Sequence, residues 1–398
     1  MQEKKSVFER NSIKTSLVII FISYLIIDVS LAYFSKYIEN TVIENSGVQH
    51  DKINTLHPVY HHGFKENAYT ELHHPLLNLK WAQYTNSLGF KDKSNREIKL
   101  IPNNHRVVFI GDSITEGIGY EFENTFVGLI SNILEQKEIE VLNASRVSYS
   151  PIIYWRKVKY LIENIGLDFD ELIVLIDISD IQDEAEVYEL DEELNVKWKR
   201  KSEEYLRARE IVNYGDGLLP YTDNLNLQNF INNTREFITE HTFITYHALN
   251  LVYDKLLNEK RLPYTYLNPD YTRLSWPYYK KAYDEYAEIG ISNSITYMDL
   301  LLELLKKHDI KLTLGVYPIP TNIYYDKKDS IHVKIWDDWT KKNEIDFFNL
   351  FPRLVNEKIT SKEKLEIIDE YYIKHDMHFN AIGHEMFAKE FLKFFKIE

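Results

Sequence analysis

Two short stretches far apart in the chain carry residue types that can transfer an acyl group. The first is Gly111-Asp112-Ser113-Ile114-Thr115-Glu116-Gly117. It directly follows Arg106 to Ile110 (RVVFI), a short apolar run that reads as a buried strand. A strand ending in Gly-Asp-Ser throws the serine onto the carboxyl edge of a sheet, on a tight turn with free backbone N–H groups. A serine hydroxyl becomes a useful nucleophile only when a base lies within hydrogen-bond reach. The second stretch, His375-Asp376-Met377-His378-Phe379-Asn380, supplies one. Asp376 and His378 sit close enough in sequence for one turn to bring both to the same place. His378 would take the serine proton, and Asp376 would fix the imidazole tautomer and stabilise the imidazolium. A lone histidine is more often structural than catalytic. Here two motifs both fall at strand ends of one β/α pattern, and a structural role has to explain both.

The elements that would position these residues are legible from residue 106 onward. Phe126 to Leu134 (FVGLISNIL) has helical periodicity, with Asn124 as its expected N-cap. Glu140 to Asn143 (EVLN) reads as a second strand. Pro151 to Asn164 reads as a helix, with proline where a helix start accepts it. Glu171 to Ile176 (ELIVLI) and Lys311 to Val316 (KLTLGV) read as the third and fourth strands, the latter after a helix over 294–308. Ile345 to Leu350 (IDFFNL) is a candidate fifth, and a helix over 381–396 closes the chain. Short apolar strands alternating with helices predict a parallel sheet covered on both faces. Between 185 and 290 the rhythm breaks into a stretch rich in Tyr, Glu and Lys. It is expected to form a helical cap over the carboxyl edge, where α/β proteins bind ligands.

The strand-GDSITEG motif and the late Asp376-Met377-His378 before a final helix resemble the SGNH/GDSL hydrolases. The resemblance covers 106–184 and 311–396. It implies a flavodoxin-like sheet of five parallel strands and a serine nucleophile that needs no metal and no cofactor. The family's usual last block is DxxH. The DxH spacing here is closer to the branch that includes alginate-type and peptidoglycan O-acetylation proteins, and His375 falls where the DxxH aspartate would be. Asp376 is therefore the expected orienter. The resemblance also implies an oxyanion hole made from the Ser113 N–H, an N–H after the second strand and a side chain after the third. The second block reads Asn143-Ala144-Ser145-Arg146-Val147-Ser148, with Ser148 where the family has glycine. The third reads Asp177-Ile178-Ser179-Asp180, with Ser179 in place of the family's asparagine. Losing one such donor costs roughly 3–4 kcal/mol of transition-state stabilisation. Asp112, Asp180 and Tyr317 are candidate substrate contacts. Tyr317 belongs to the loop Val316-Tyr317-Pro318-Ile319-Pro320-Thr321-Asn322, which either lines the pocket or is a rigid proline-shaped turn. Asp180, Asp183 and Glu184 suggest a cation site or a capping or solvated role, and the second is preferred.

Composition sets the remaining bounds. The 398 residues suffice for one large domain with insertions, and a 44% hydrophobic, 27% charged composition is that of a globular protein. A formal charge of −14 disfavours nucleic acid as a partner. Cysteine is absent, which excludes thiol chemistry and disulfides. The 29 tyrosines are candidates for stacking on sugars or for ordinary packing. His57, His61, His62, His73 and His74 fit no standard zinc spacing, and hydrogen-bonded or surface roles are preferred. Thr15 to Phe34 (TSLVIIFISYLIIDVSLAYF) is long enough to cross a bilayer. Its one charge, Asp28, costs about 2.5–3.5 kcal/mol at a helix centre, which the surrounding apolar residues outweigh. Lys4, Lys5, Arg10 and Lys14 precede it and predict a cytoplasmic N-terminus with the rest of the chain outside. A cleaved signal ending near Ser30-Leu31-Ala32 is the alternative, though the apolar run is long for a signal core.

The expected organisation is a cytoplasmic N-terminus and transmembrane anchor over 1–40, an extension packing on the core over 41–105, a first half of the core over 106–184, a helical insertion over 185–290 and a second half over 291–398. The leading expectation for function is an extracytoplasmic serine ester hydrolase acting on acylated carbohydrate or another ester. An O-acyltransferase modifying an envelope or exported polysaccharide, with a membrane acyl-donor protein as a further partner, is the alternative. A non-catalytic glycan-binding protein on a degenerate scaffold is the third reading.

Overall fold

The computed structural model describes residues 12–73, 80–199, 272–374 and 376–395, together with Thr234, Phe237, Ile238, 241–249 and Leu267. The chain divides into two compact units. One comprises Met1–Val48 with Glu204–Arg261, and the other Gln49–Glu203 with Leu262–Glu398. The expected insertion over 185–290 is therefore divided. Its ends, including an antiparallel hairpin of Tyr188–Leu190 and Val196–Trp198, belong to the core unit. The expectation of a helical cap falls largely on residues outside those described.

Helix α1 (Ser12–Ile53), which lies in the first unit up to Val48, carries the apolar stretch Ile13–Ser35. Among the described residues it is the one helix long and apolar enough to cross a membrane. Asp28, fully buried, is not an unpaired charge. Its carboxylate accepts from the backbone N–H of Phe243 at 2.7 Å and of Ile244 at 2.5 Å, and from the Thr245 hydroxyl. A carboxylate at the start of a helical stretch, here 244–249, satisfies donors that the helix cannot. Local sequence shows Asp28 only as a cost, because its partners lie more than 200 residues away.

In the second unit the fold is α/β with a mostly parallel central sheet. Its eight strands are β1 (Tyr69–His73), β2 (Lys80–Thr85), β3 (Lys91–Asp92), β4 (Arg106–Gly111), β5 (Glu140–Asn143), β6 (Glu171–Ile176), β7 (Lys311–Val316) and β8 (Asp346–Asn349). They lie in the order β8-β7-β6-β4-β5-β3-β2-β1. The pairs β4–β5, β4–β6, β6–β7 and β7–β8 are parallel. Counting only those five, the order is second, first, third, fourth, fifth, which is the flavodoxin-like order. Every residue of β4 and β6 is buried. Successive side chains of a strand point to opposite faces, so both faces of the sheet are covered.

The covering helices include α3 (Phe126–Leu134), α4 (Pro151–Tyr160), α5 (Glu288–Lys307), α6 (Ile331–Asn343) and α7 (Ala381–Phe394), with α3 against α7 and α4 against α5. Phe126 stacks on Phe387 at 3.9 Å between ring centroids, while Phe109 and Phe348 both pack on Phe391. This aromatic seam ties the strand before Ser113 to the helix after His378. The N-cap of α3 is Thr125, whose hydroxyl accepts from Gly128 N–H, and not Asn124.

The sheet is wider than the expected five strands. β1, β2 and β3 extend it in antiparallel fashion beyond β5, all drawn from the polar stretch before residue 100. Their signal is masked because the buried face of β2 holds Trp81, Gln83 and Thr85, two of them polar. Polar residues at inward positions erase the apolar alternation by which a strand is recognised.

Candidate active site

β4 ends in Gly111 because nothing larger fits. A Cβ there would lie 2.4 Å from Thr115 Oγ1 and 2.9 Å from the Leu175 carbonyl. Asp112 turns the chain into a single helical turn, α2 (Ser113–Glu116), which stops at Gly117 in the left-handed region at φ 80°. The turn places Ser113, largely buried, at the carboxyl edge of β4. The other motif is held by a tight loop after a helix over Ser361–Tyr371. In it Asp376 N–H donates to the Ile373 carbonyl and Ile373 N–H to the His378 carbonyl, at 3.0 and 2.9 Å. Asn380 then caps α7 by accepting from Gly383 N–H at 2.9 Å.

These two supports bring the three residues into line. His378 Nε2 lies 2.9 Å from Ser113 Oγ. His378 Nδ1 lies 2.6 Å from Asp376 Oδ1, and the same oxygen accepts the His378 backbone N–H at 3.1 Å. The DxH spacing thus lets one carboxylate oxygen hold both the ring and the backbone of the histidine. Burial favours the neutral imidazole, but the charge and hydrogen bond of Asp376 outweigh it. The His378 pKa is raised above its ordinary value. His375 lies outside the described residues.

The loop after β5 is organised by the glutamate of the first motif. Glu116 Oε2 accepts from Arg146 Nη1 at 2.7 Å and from Val147 N–H at 2.8 Å, and both the Glu116 and Arg146 side chains are largely buried. Ser148 follows in the left-handed region at φ 62°. It therefore adopts the backbone that glycine would take at this point, and the Tyr188 hydroxyl fastens its carbonyl at 2.9 Å. Glu116→Ala removes the partner of a buried guanidinium. It is expected to destabilise the fold by about 3 kcal/mol and to lower turnover through the displaced Ser148 N–H. Thermal unfolding and steady-state kinetics on the same sample check both.

The three groups expected to form the oxyanion hole converge on one side chain. Asp112 Oδ1 accepts from Ser113 N–H at 2.6 Å and also from Ser148 N–H. Ser179 Oγ lies 3.5 Å from Asp112 Oδ2. Burial pushes the Asp112 carboxyl up to about 7, helped by the negative charge of Asp177.

Asp180 and Tyr317, expected as substrate contacts, are fully buried and committed to the protein. Asp180 Oδ2 accepts from the Tyr154 hydroxyl at 2.8 Å, and the Tyr317 hydroxyl donates to Asp177 Oδ2 at 3.2 Å. Both lie within reach of the charge of Asp112, and neither is exposed to solvent. Asp183 pairs with Arg273 at 2.7 Å inside the protein. Glu184 accepts from Ser150 Oγ and Ile152 N–H, each at 2.7 Å, which caps α4. Capping thus describes Glu184, and none of these carboxylates is solvated. Among the described residues no group of three or more His, Asp or Glu is arranged to hold a metal ion.

Two supporting residues escaped sequence reading. Lys91, buried in β3, donates through Nζ to the Gly117 and Tyr120 carbonyls at 2.7 Å each, holding the loop beyond α2. Arg273 places a buried cation beside the carboxylate cluster. Neither stands in a recognisable motif. Of the histidines in the extension, His62 is hydrogen-bonded to the Val147 carbonyl at 2.8 Å and His57 is stacked on Tyr60. The sites of His73 and His74 lie outside what is described of side chains.

Strand order and site together define the class of molecule: a flavodoxin-like α/β protein with a serine, a histidine and an aspartate in hydrogen-bonded line at the carboxyl edge of its sheet. No protein-family model matches the chain, and no curated protein matches it. Among solved structures it is similar to an acetyl xylan esterase at 13% identity, over 72% of this chain and 98% of that one, with a TM-score of 0.38. It is also similar to the psychrotrophic esterase EstA from Pseudoalteromonas sp., at 9% identity over 73% and 97%, with a TM-score of 0.34. A catalytic mutant of an acetylxylan esterase from Geobacillus stearothermophilus matches at 11% identity over 75% and 98%, with a TM-score of 0.34.

Proposed function

We propose that this chain is a serine ester hydrolase of the SGNH/GDSL type that works through an acyl-enzyme on Ser113. The observation that carries the reading is the Ser113 Oγ–His378 Nε2–Asp376 chain, at 2.9 and 2.6 Å. Ser113 Oγ attacks the ester carbonyl carbon as His378 Nε2 takes its proton. The tetrahedral intermediate places its oxyanion among the Ser113 N–H, the Ser148 N–H and Ser179 Oγ. Collapse breaks the bond to the alkoxy leaving group, which leaves as an alcohol with the proton from His378. Water, deprotonated by the same imidazole, then attacks the acyl-serine and releases a carboxylic acid.

An acyltransferase runs the same first half, with a sugar hydroxyl replacing water in the second. The Asp376-Met377-His378 spacing favours this as the second reading, with an envelope or exported polysaccharide as acceptor and a membrane acyl-donor protein as partner. The third reading, a non-catalytic binder, draws on Ser148 and Ser179. The left-handed backbone of Ser148 weakens it, since the N–H still faces the hole. We place the core outside the cytoplasm. The apolar stretch Ile13–Ser35 would serve as the anchor, and the preceding Lys4, Lys5, Arg10 and Lys14 would stay in the cytoplasm.

The test uses the full chain in detergent with an activated acetyl ester, with and without oligosaccharide. Acetate release that needs Ser113 supports the hydrolase. Acetylated sugar among the products selects the transferase. Binding of oligosaccharide with no turnover of any ester would overturn both.

A further inference from the structure

We infer that the Asp112 carboxylate is the resting occupant of the oxyanion hole, and that an ester carbonyl enters only when Asp112 leaves. The inference rests on the reading of Ser113 as nucleophile. Its basis is the convergence already described. One oxygen of Asp112 takes both backbone N–H groups, and the other oxygen faces Ser179 Oγ. A carboxylate has the charge and the acceptor geometry of the tetrahedral oxyanion. Hole donors act at about 2.7–3.1 Å from that oxyanion, and Asp112 Oδ1 already stands 2.6 Å from Ser113 N. Two oxygens cannot share the position.

Helix capping alone does not account for the contact. A capping side chain accepts from the second or third N–H of its helix. Asp112 instead accepts from the first, Ser113, and from Ser148, which lies on a different loop 36 residues away. The bond to Ser148 does nothing for α2. It does close the hole.

The surroundings make the occupant removable. Asp177, Asp180 and Asp183 face Asp112 from the loop after β6, and Tyr154 and Tyr317 from α4 and the loop after β7. Arg273 and His378 are the basic groups that face it. Arg273 is already paired with Asp183. Burial, helped by the negative charges of Asp177 and Asp183, outweighs Arg273 and pushes the Asp112 carboxyl up to about 7, so it takes a proton readily around neutrality. A neutral carboxyl loses the charge-assisted part of both N–H bonds and releases the hole. The sign is therefore fixed. Opening is favoured below about pH 7 and resisted above it, whereas His378 must be neutral to act and is favoured by higher pH. The two requirements oppose each other, so kcat/KM should be bell-shaped, with His378 on the acid limb and Asp112 on the alkaline limb.

The experiment measures kcat/KM of the full chain in detergent from pH 5 to 10 with a neutral activated acetyl ester. In parallel it follows Ser113 phosphonylation by a neutral organophosphonate. Wild type should lose rate in both assays above neutrality. Asp112→Asn keeps the size of the side chain and removes its charge. It should lose the alkaline limb and exceed wild type about tenfold at pH 9, the scale of one charge-assisted bond. A wild-type profile flat to pH 9 overturns the inference, whether or not the variant folds. So does an active, folded Asp112→Asn protein with an unchanged alkaline limb, and in both cases the nucleophile assignment stands. If neither protein turns over ester and Ser113 stays unmodified at every pH, the parent reading falls and takes the inference with it.

Discussion

Ser113→Ala is expected to lower ester turnover by on the order of 10⁴-fold or more and to leave the fold intact. The side chain sits on the one-turn helix α2, and its polar partner in the described structure is His378 Nε2 at 2.9 Å. Removing the hydroxyl leaves a histidine that still has Asp376 at 2.6 Å. No buried charge is orphaned, so the melting temperature should stay close to that of wild type. What disappears is the covalent route, because among the described residues no other nucleophile is hydrogen-bonded to the imidazole. Ester binding should persist, so the loss appears in kcat. Full turnover by a folded Ser113→Ala protein would place the chemistry elsewhere.

Asp376→Asn is the second large effect, at about 10⁴-fold in kcat, the cost of the same change in a well-studied Ser-His-Asp triad. An amide at this position can present an N–H towards His378 Nδ1. The ring would then carry its proton on Nε2, facing Ser113, where it cannot accept one. The pH dependence should move as well. Burial lowers the pKa of His378, and the charge and hydrogen bond of Asp376 raise it, with the raising influence prevailing. Removing the charge leaves burial opposed only by the charges of Asp112 and Asp177, so the acid limb of kcat/KM shifts to lower pH in the residual activity. A pH profile of kcat/KM measured on the variant reads both changes. An acid limb that stayed in place would show that Asp376 does not set the titration.

The β/α core was legible because its strands are short, apolar and fully buried. Arg106–Gly111 and Glu171–Ile176 are buried at every position, so they appear as uninterrupted apolar runs. The nucleophile turn was legible because its residue types are forced. Gly111 must admit Thr115 and the Leu175 carbonyl, and Gly117 must take a positive φ. The partnership of Ser113 with His378 is legible because each motif is short and borders a predicted element, a strand before Ser113 and the closing helix after His378; only the first stands at a strand end, since the second follows a helix over Ser361–Tyr371.

What stayed hidden depends on contacts between distant segments. Asp28 reads as a penalty in an apolar helix until the N–H groups of 243–245 are seen around it. β1, β2 and β3 pass for an irregular extension because Gln83, Thr85, Lys91 and Asp92 are buried polar residues on the inside of the sheet. Asp112, Asp180 and Tyr317 were placed near a substrate because their position at the carboxyl edge is readable from sequence. Their burial is not, nor are the hydrogen bonds that tie Asp180 to Tyr154, Tyr317 to Asp177 and Asp112 to the Ser113 and Ser148 N–H groups. With Ser148 in place of glycine, the backbone N–H can donate only if the loop keeps its geometry. The tertiary bonds to Glu116, Asp112 and Tyr188 hold the loop in the glycine conformation all the same.

The most direct measurement is mass-spectrometric mapping of the full chain after exposure to a reactive organophosphonate, beside His378→Ala treated in the same way. A base-activated nucleophile predicts a single adduct on Ser113 in the wild type, formed at least about 10³-fold faster than in the variant. An adduct on another residue, or equal labelling of Ser113 with and without the His378 imidazole, would contradict it.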